Sequence, residues 1–402
     1  MGGAGSWWIA CDESMGVARY RQTAVMPAVP DSQLPEAVVG SPAVERARRV
    51  ADEVLFPTAQ DVDRAERVPT RNLAALADAG LFGIAGPRSH GGLDLDAVDG
   101  RRAVAAVGSG CGATFFVWVQ HHGAVRTLRS SLNEPLVDSH LAELCSGRSV
   151  AGTAFAHIRR AGSPAITATR VVDGWRLDGH APWATSWGIA DWYTIAAVSQ
   201  GGDLVWSLVS GVRRTGVTAT PLALPVFAAT GTVALDFDGC FVPDDRVIAV
   251  EPVDAWRRAD RRHASIGQPA VLGVAERARR LLADLGDDLA TSAGEALGEQ
   301  LRECWRVDVD LVSALARGDD VVAEASDHRA DCLGLARRAT TALLGAVGGR
   351  GMDLAHPAQR LAREADFYVI QAQTADGRAA TLRSVARGHE HLHHGRDTIG
   401  SD

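Results

Sequence analysis

The spacing of apolar residues along the chain changes twice and divides it into three parts. Over residues 39–148, apolar residues such as Val44 and Ala47 recur every three or four positions, which predicts amphipathic helices. Over residues 149–253, short runs rich in Val, Thr, Trp and Ile predict strands. Helical spacing returns over residues 254–388. The pattern therefore predicts a helical domain, a β domain and a second helical domain.

Local signals place the first turns and ends of these elements. Thr70 is a candidate N-cap for a helix that Gly80 would end. The glycines within residues 108–112 predict a break between two buried helices. In the β domain, Asp173-Gly174 and Gly201-Gly202-Asp203 are typical of hairpin turns.

The two ends of the chain show no sustained periodicity. Residues 1–38 are rich in Gly, Pro and Ala, so we expect a flexible arm, and Met15 or Met26 is an alternative start. We expect residues 389–402 to form a flexible tail. Its four histidines are interpreted as solvated side chains rather than a metal site, since nothing fixes their geometry.

Composition excludes several classes of function. The 41 Lys and Arg residues against 49 Asp and Glu residues argue against non-specific nucleic-acid binding. The six cysteines have neither the spacing of a disulfide framework nor that of a zinc site, which favours a reduced compartment. No run approaches the roughly 18 apolar residues of a membrane helix. We therefore expect a cytoplasmic protein without a resident metal.

One segment of the β region has the chemistry to hold a flat heteroaromatic ring. Trp183 and Thr185 lie two positions apart, so on a strand they share a face. The indole could cover the ring while the hydroxyl donates a hydrogen bond to the edge of the ring. The alternative is that Trp183 is a core aromatic residue.

With Gly179, Ser186 and the following residues 190–192, this segment resembles the flavin-contacting segment of the acyl-CoA dehydrogenases. The resemblance covers nearly everything after residue 40. It implies an α+β multidomain fold with an N-terminal helical domain, a central β-barrel or β-sandwich domain and a C-terminal four-helix bundle. It also implies FAD as the cofactor. The FAD contacts that it implies are Trp183, Thr185, Ser186, His157, Gln300, Thr374, Gly348, Gly349 and Gly351.

The glycine loop at residues 348–351 does not follow a strand, so it is not a Rossmann fingerprint. It is interpreted as a helix C-cap and turn, and the resemblance adds an approach to the FAD of a neighbouring subunit. Both are compatible, because glycine lets backbone approach a ligand closely.

The chain departs from the family at the general base, the residue that removes the α-proton of the thioester. The position that is usually Glu is Ala372. One branch of the family places its base at a position that matches His263, which makes this residue a candidate, although a surface histidine in an arginine-rich segment is the alternative. Asp376 and Glu364 are weaker candidates.

A second departure concerns the subunit interface. The arginine that usually reaches the partner's FAD corresponds to Leu289, and its aromatic companion corresponds to Ser292. A homo-oligomer of this chain should therefore hold FAD less tightly than its relatives, and a hetero-oligomer with a related subunit could restore the contact.

Three functions remain open from the sequence. The first is FAD-dependent α,β-dehydrogenation of an acyl-CoA thioester, with electrons passed to an acceptor flavoprotein or a reductase. The second is a flavin-dependent monooxygenase on the same fold, for which His157, Thr185 and Ser186 would be suitable. The third is a non-catalytic subunit of a hetero-oligomer.

Overall fold

The structure is a computed structural model that describes residues 41–160, 162, 164–211 and 215–387. The predicted arm at residues 1–38, the two alternative start residues and the predicted tail at residues 389–402 lie outside the described residues.

The first part of the described chain is helical. The most buried helix, α5, is apolar on nearly every side, as expected for a helix that other elements surround. A π-helical turn at Ala51–Leu55 joins the first two helices. The bounds are α1 (Pro42–Val50), α2 (Phe56–Arg64), α3 (Thr70–Asp78), α4 (Ala97–Gly110), α5 (Gly112–Arg129) and α6 (Glu134–Ser146).

A single sheet follows these helices. Its strands lie in the order β6-β7-β3-β2-β4-β5-β8, and β1 pairs with β4 off this path. The two predicted hairpin turns are confirmed, with Asp173 (φ 57°) between β2 and β3 and Gly202 (φ 84°) between β4 and β5. The bounds are β1 (Ala151–Ala154), β2 (Ile166–Val171), β3 (Gly174–Ala184), β4 (Trp192–Ser199), β5 (Asp203–Ser210), β6 (Val217–Pro221), β7 (Val233–Pro243) and β8 (Val247–Pro252).

Strand β4 shows how the sheet joins the helices. Ala196 and Val198 belong to an apolar cluster with α5 and α6, whereas Ile195 and Ala197 belong to the cluster formed with β3 and β7. The strand is therefore buried on both faces. His121 of α5 reinforces this junction, since its Nδ1 accepts the Ala151 N–H at 3.1 Å and its Nε2 lies 3.1 Å from the Leu144 carbonyl oxygen.

The last part of the described chain is again helical. The side chain of Asp287 caps the longest helix at its N-terminus, and Gly318 (φ 94°) ends it. In the described residues, no helix is both long enough and apolar enough to cross a membrane. The bounds are α7 (Val253–Ser265), α8 (Ala270–Ala283), α9 (Asp288–Arg317), α10 (Val322–Val347), α11 (Pro357–Tyr368) and α12 (Ala375–Arg387).

One local prediction from the sequence was wrong. Thr70 is the first residue of α3, and its predecessor Pro69 occupies the N-cap position without a side-chain hydrogen bond. The predicted break within residues 108–112 is confirmed and falls at Cys111, because α4 continues to Gly110 and α5 starts at Gly112. The glycines also allow close packing, since a Cβ added at Gly108 would lie 2.6 Å from the Ala270 Cβ of α8.

Candidate functional site

The segment 183–186 lies at the junction between the sheet and the helical core. Trp183 is half-buried and packs against the helical cluster that includes α5 and α11, although it belongs to β3. The pairing of β3 with β7 is irregular between Ala181 and Ala184, and Thr185 lies just beyond the strand. The alternation of side chains between the two faces of the strand is therefore interrupted here. That Trp183 and Thr185 lie on the same face stays a prediction.

A chain of hydrogen bonds between threonine hydroxyls determines whether the Thr185 hydroxyl donates or accepts. Thr230 donates to the Phe227 carbonyl oxygen at 2.7 Å, Thr232 lies 2.7 Å from Thr230, and Thr185 lies 3.2 Å from Thr232. Because each hydroxyl has one proton, Thr232 donates to Thr230, and Thr185 donates to Thr232. Thr185 Oγ1 then keeps lone pairs, so in this arrangement it would accept from a ligand rather than donate to it.

Ser186 follows in the left-handed region, with φ of 75°. Its hydroxyl is buried and has no hydrogen-bond partner among the described residues. A buried polar group without a partner costs free energy unless a ligand or water satisfies it. The segment therefore offers an aromatic face and an unsatisfied hydroxyl at one domain junction, which suits the ring of FAD.

Three other residues predicted to contact FAD, His157, Gln300 and Thr374, lie in separate parts of the fold. His157 is buried, and its Nε2 lies 2.9 Å from the Ala196 carbonyl oxygen, so this nitrogen is already engaged within the sheet. Gln300 is exposed on α9 and accepts from Arg338 at 2.9 Å. Thr374 accepts the Gly377 N–H at 3.1 Å and so caps α12. Their roles toward FAD stay predictions.

The glycine loop follows the end of α10, as the C-cap interpretation predicted. Gly348 has φ of 66°, a conformation that favours glycine, and residues 348–352 form a 3-10 turn. Gly348 and Gly349 are exposed, whereas Gly351 is buried. The backbone of Gly348 and Gly349 is open to solvent, and the approach of the loop to FAD stays a prediction.

The two candidate positions for the base come together at one arginine, Arg329 of α10. Its Nη1 donates to the Ala372 carbonyl oxygen at 3.0 Å and to the Ala264 carbonyl oxygen at 3.3 Å. Ala264 directly follows His263, so the backbone next to His263 and the backbone at Ala372 share one hydrogen-bond donor. Ala372 itself has φ of 48°, a left-handed conformation held by these contacts.

His263 lies near the end of α7. The residue is exposed to solvent. Desolvation by the surrounding protein lowers the pKa of its imidazole to about 4, and the positive charge of Arg126 acts in the same direction. With this pKa the imidazole is neutral at pH 7.

The two weaker base candidates are already paired with arginines. Asp376 forms a bidentate pair with Arg261 at 2.6 and 3.0 Å, and these hydrogen bonds lower the pKa of its carboxyl group. Glu364 is buried and lies 2.5 Å from the Arg360 Nη1. Both carboxylates therefore have structural partners in the described residues.

Arg329 was missed in the sequence. The signal was present, because Arg329 stands in register with Ala325, Cys332 and Ala336 on the buried stripe of α10. An arginine at an apolar position of a long helix indicates a buried charge with a specific role. The described residues contain no cluster of three or more His, Cys, Asp and Glu side chains placed to hold a metal ion.

Comparison with known sequences identifies close similarities. The family model described as acyl-CoA dehydrogenase, N-terminal domain, matches residues 43–148. A probable acyl-CoA dehydrogenase of Mycobacterium leprae is 30% identical over 243 residues, which cover 57% of this chain and 61% of that protein. The benzylmalonyl-CoA dehydrogenase of Aromatoleum aromaticum is 30% identical over 229 residues, covering 51% of this chain and 56% of that protein. The matched region thus spans about six tenths of these relatives.

Comparison of folds covers more of the chain. The FAD complex of PigA matches with a TM-score of 0.76 at 20% identity, and the match covers 89% of this chain and 100% of that one. The three-part fold expected from the sequence is confirmed by this likeness.

Proposed function

The chain belongs to the acyl-CoA dehydrogenase family, and we propose that it is an FAD-dependent oxidoreductase that removes hydrogen from the α and β carbons of an acyl-CoA thioester. Bound FAD would supply the acceptor for the β-hydride. The proposal includes an oligomeric assembly and a flavoprotein or reductase that takes up the electrons.

The residues at the domain junction fit the flavin. Trp183 would cover one face of the ring, Thr185 would accept a hydrogen bond from its edge, and the Ser186 hydroxyl would gain the partner that it lacks. Gly179 allows the backbone of β3 to pack closely against residue 165, since a Cβ at this position would lie 2.2 Å from the Ala165 carbonyl oxygen. All of the residues that would contact or support the flavin in this proposal belong to this chain.

The proposal depends on one observation: Arg329 donates hydrogen bonds to the backbone carbonyl oxygens of both Ala264 and Ala372. Of the two candidate positions for the base, residues 263 and 372, only His263 has a titratable side chain, and the contact of Arg329 with the neighbouring Ala264 supports its choice. We propose that neutral His263 accepts the α-proton.

Absorption spectra of the purified protein with added FAD, recorded with and without acyl-CoA thioesters under anaerobic conditions, test this proposal. We expect a thioester to bleach the flavin. His263→Ala should slow the bleaching by about 10²- to 10⁴-fold, the usual contribution of a general base, without loss of FAD. His180→Ala is the matched control, since His180 is exposed on β3 and lies 2.7 Å from Asp236.

If FAD is retained but His263→Ala bleaches at the wild-type rate, the base is not His263. If no thioester bleaches the flavin, the dehydrogenase proposal fails. The methyl group at Ala372 favours a second candidate, the flavin-dependent monooxygenase, which requires no base at this position. That function predicts oxygen consumption with reduced flavin from a separate reductase.

A further inference from the structure

Tyr193, near the start of β4, contacts the segment that we propose to hold the flavin. Its side chain is buried, with the residue only 1% exposed, and its hydroxyl donates a hydrogen bond to the Thr185 carbonyl oxygen at 2.9 Å. Burial raises the pKa of this hydroxyl, so Tyr193 keeps its proton and stays a donor at neutral pH. The backbone of Thr185 is thus held by a side chain that the proposed reaction does not use.

The ring of Tyr193 also packs on β1. Gly152 of β1 and Tyr193 of β4 are partners in the parallel pairing of the two strands. A Cβ added at Gly152 would lie 2.5 Å from the Tyr193 Cε1 and 2.8 Å from the Thr185 carbonyl oxygen. Glycine allows such a close approach. The Tyr193 ring and the Thr185 carbonyl group therefore both lie against β1 at this point.

Tyr193 thereby connects the two parts of the β domain in which the resemblance implies FAD contacts. Strand β1 leads into a 3-10 turn, Ala156–Arg159, which contains His157. Thr185 directly follows β3. These parts are distant in sequence, so a tertiary contact has to set their relative position, and the contact of Tyr193 with Gly152 and Thr185 is suited to do so.

A second set of contacts holds the same segment from the residues that precede β7. The Ser186 N–H donates to the Thr230 carbonyl oxygen at 2.9 Å, and the Thr185 hydroxyl lies 3.2 Å from the Thr232 hydroxyl. The Thr185 carbonyl oxygen is held separately, by Tyr193. Loss of this donor would leave a carbonyl group of a buried residue without that bond, which favours a rearrangement of the turn.

We propose that Tyr193 is a positioning residue for FAD: its hydroxyl and ring hold the Thr185 carbonyl group against β1 and so set where the Thr185 and Ser186 hydroxyls meet the flavin. The inference rests on the proposed function, since it assumes that the flavin binds beside residues 183–186. Tyr193 acts through Thr185. Removal of one hydroxyl from β4 should therefore change the properties of the bound flavin.

Fluorescence titration of the apoprotein with FAD tests this inference. Tyr193→Phe keeps the ring and removes the donor to Thr185. We expect FAD to bind about 3- to 10-fold more weakly, as for the loss of one hydrogen bond. At saturating FAD we also expect the visible absorption maximum of the flavin to shift, because the hydrogen bond at the edge of the ring changes. A purely structural role of Tyr193 would not move this absorption band.

Tyr368→Phe on α11 is the matched control. Tyr368 is also buried, and its hydroxyl has no hydrogen-bond partner among the described residues. The same atom is removed, but no contact with Thr185 is lost, so we expect the affinity and the spectrum of the wild type. Gly152→Ala disturbs the contact from the side of β1 without altering Tyr193. It should weaken FAD binding and shift the absorption band, and it decides the inference if Tyr193→Phe does not fold.

Each outcome decides the inference. Weaker binding with a shifted band, found in Tyr193→Phe and absent from Tyr368→Phe, supports it. Wild-type affinity in a folded Tyr193→Phe variant would overturn it, as would weaker binding with an unchanged band or equal changes in Tyr368→Phe. In these cases the proposed function stands if a thioester still bleaches the flavin of the wild type. If the wild type binds no FAD, both the inference and the proposed function fall.

Discussion

At the scale of single residues, the buried ion pair of Arg360 and Glu364 on α11 has the clearest consequence for stability. Both side chains are almost completely inaccessible, at 1% and 2% exposure. Glu364 also accepts the Gly112 N–H at 3.2 Å and so connects α11 to the start of α5. Arg360→Met would leave a buried carboxylate without its partner. We expect the free energy of unfolding to fall by about 3 to 5 kcal/mol, measured by denaturant titration at pH 7.

Arg306→Met provides the control for this prediction. Arg306 also pairs at helical spacing, with Glu303 and Asp310, but all three side chains are exposed. Removal of an exposed pair costs about 1 kcal/mol or less. Similar losses in the two variants would contradict the assignment of Arg360 and Glu364 to a buried pair.

The spacing of Arg360 and Glu364 is compatible with an ion pair on one helix face, but it does not reveal that the pair is buried. Arg360 and Glu364 are four residues apart, which is readable from the chain. Burial depends on which helix packs over them, and spacing does not contain that information. The same limit applies to His157: the resemblance implied a contact with FAD, whereas its hydrogen bond to Ala196 depends on the register of the sheet.

At the scale of elements, the contact between α4 and α8 depends on two glycines. A Cβ added at Gly273 would lie 2.0 Å from the Ala105 carbonyl oxygen, and one at Gly108 would lie 2.6 Å from the Ala270 Cβ. Gly273→Ala would force the helices apart. We expect a destabilisation of about 1 to 3 kcal/mol or more, seen as a lower midpoint in thermal unfolding followed by circular dichroism.

A glycine-to-alanine substitution should have the opposite effect on stability where a helix glycine faces open space. Gly345 of α10 is exposed, and a Cβ there would meet no atom within 4 Å. Gly345→Ala should leave the midpoint unchanged or raise it, since alanine is favoured in helices by up to about 1 kcal/mol. A stable Gly273→Ala variant would show that the two helices are less closely packed than in this structure.

Element order was predictable because the spacing of apolar residues changes at the domain boundaries. The break within residues 108–112 was predictable, but the packing role of its glycines was not. Glycine weakens a helix locally but also allows close helix packing, and for Gly108 the second effect depends on a partner 162 residues away in sequence, at Ala270. Local pattern therefore identified the helices, and only the tertiary structure identified the role of their glycines.

At the scale of the whole molecule, the remaining question is whether the chain retains FAD by itself. Leu289, at the position where the resemblance implies a cation that reaches the neighbouring subunit, is 81% exposed near the start of α9. If FAD binds as the resemblance implies, a leucine at this position would leave the charge of the cofactor's phosphates uncompensated. The proposed homo-oligomer should therefore bind FAD weakly.

Leu289→Arg should restore this contact in the homo-oligomer. Because loss of a charged contact at an interface costs about 2 to 5 kcal/mol, we expect FAD to bind at least about tenfold more tightly, measured by fluorescence titration of the apoprotein. Leu382→Arg on α12, also at an exposed leucine, is the control for added positive charge and should change little. Equal effects of both substitutions would indicate general electrostatic attraction. Unchanged binding in Leu289→Arg would indicate instead that the subunit supplying the missing cation is a different chain, which points to the hetero-oligomer.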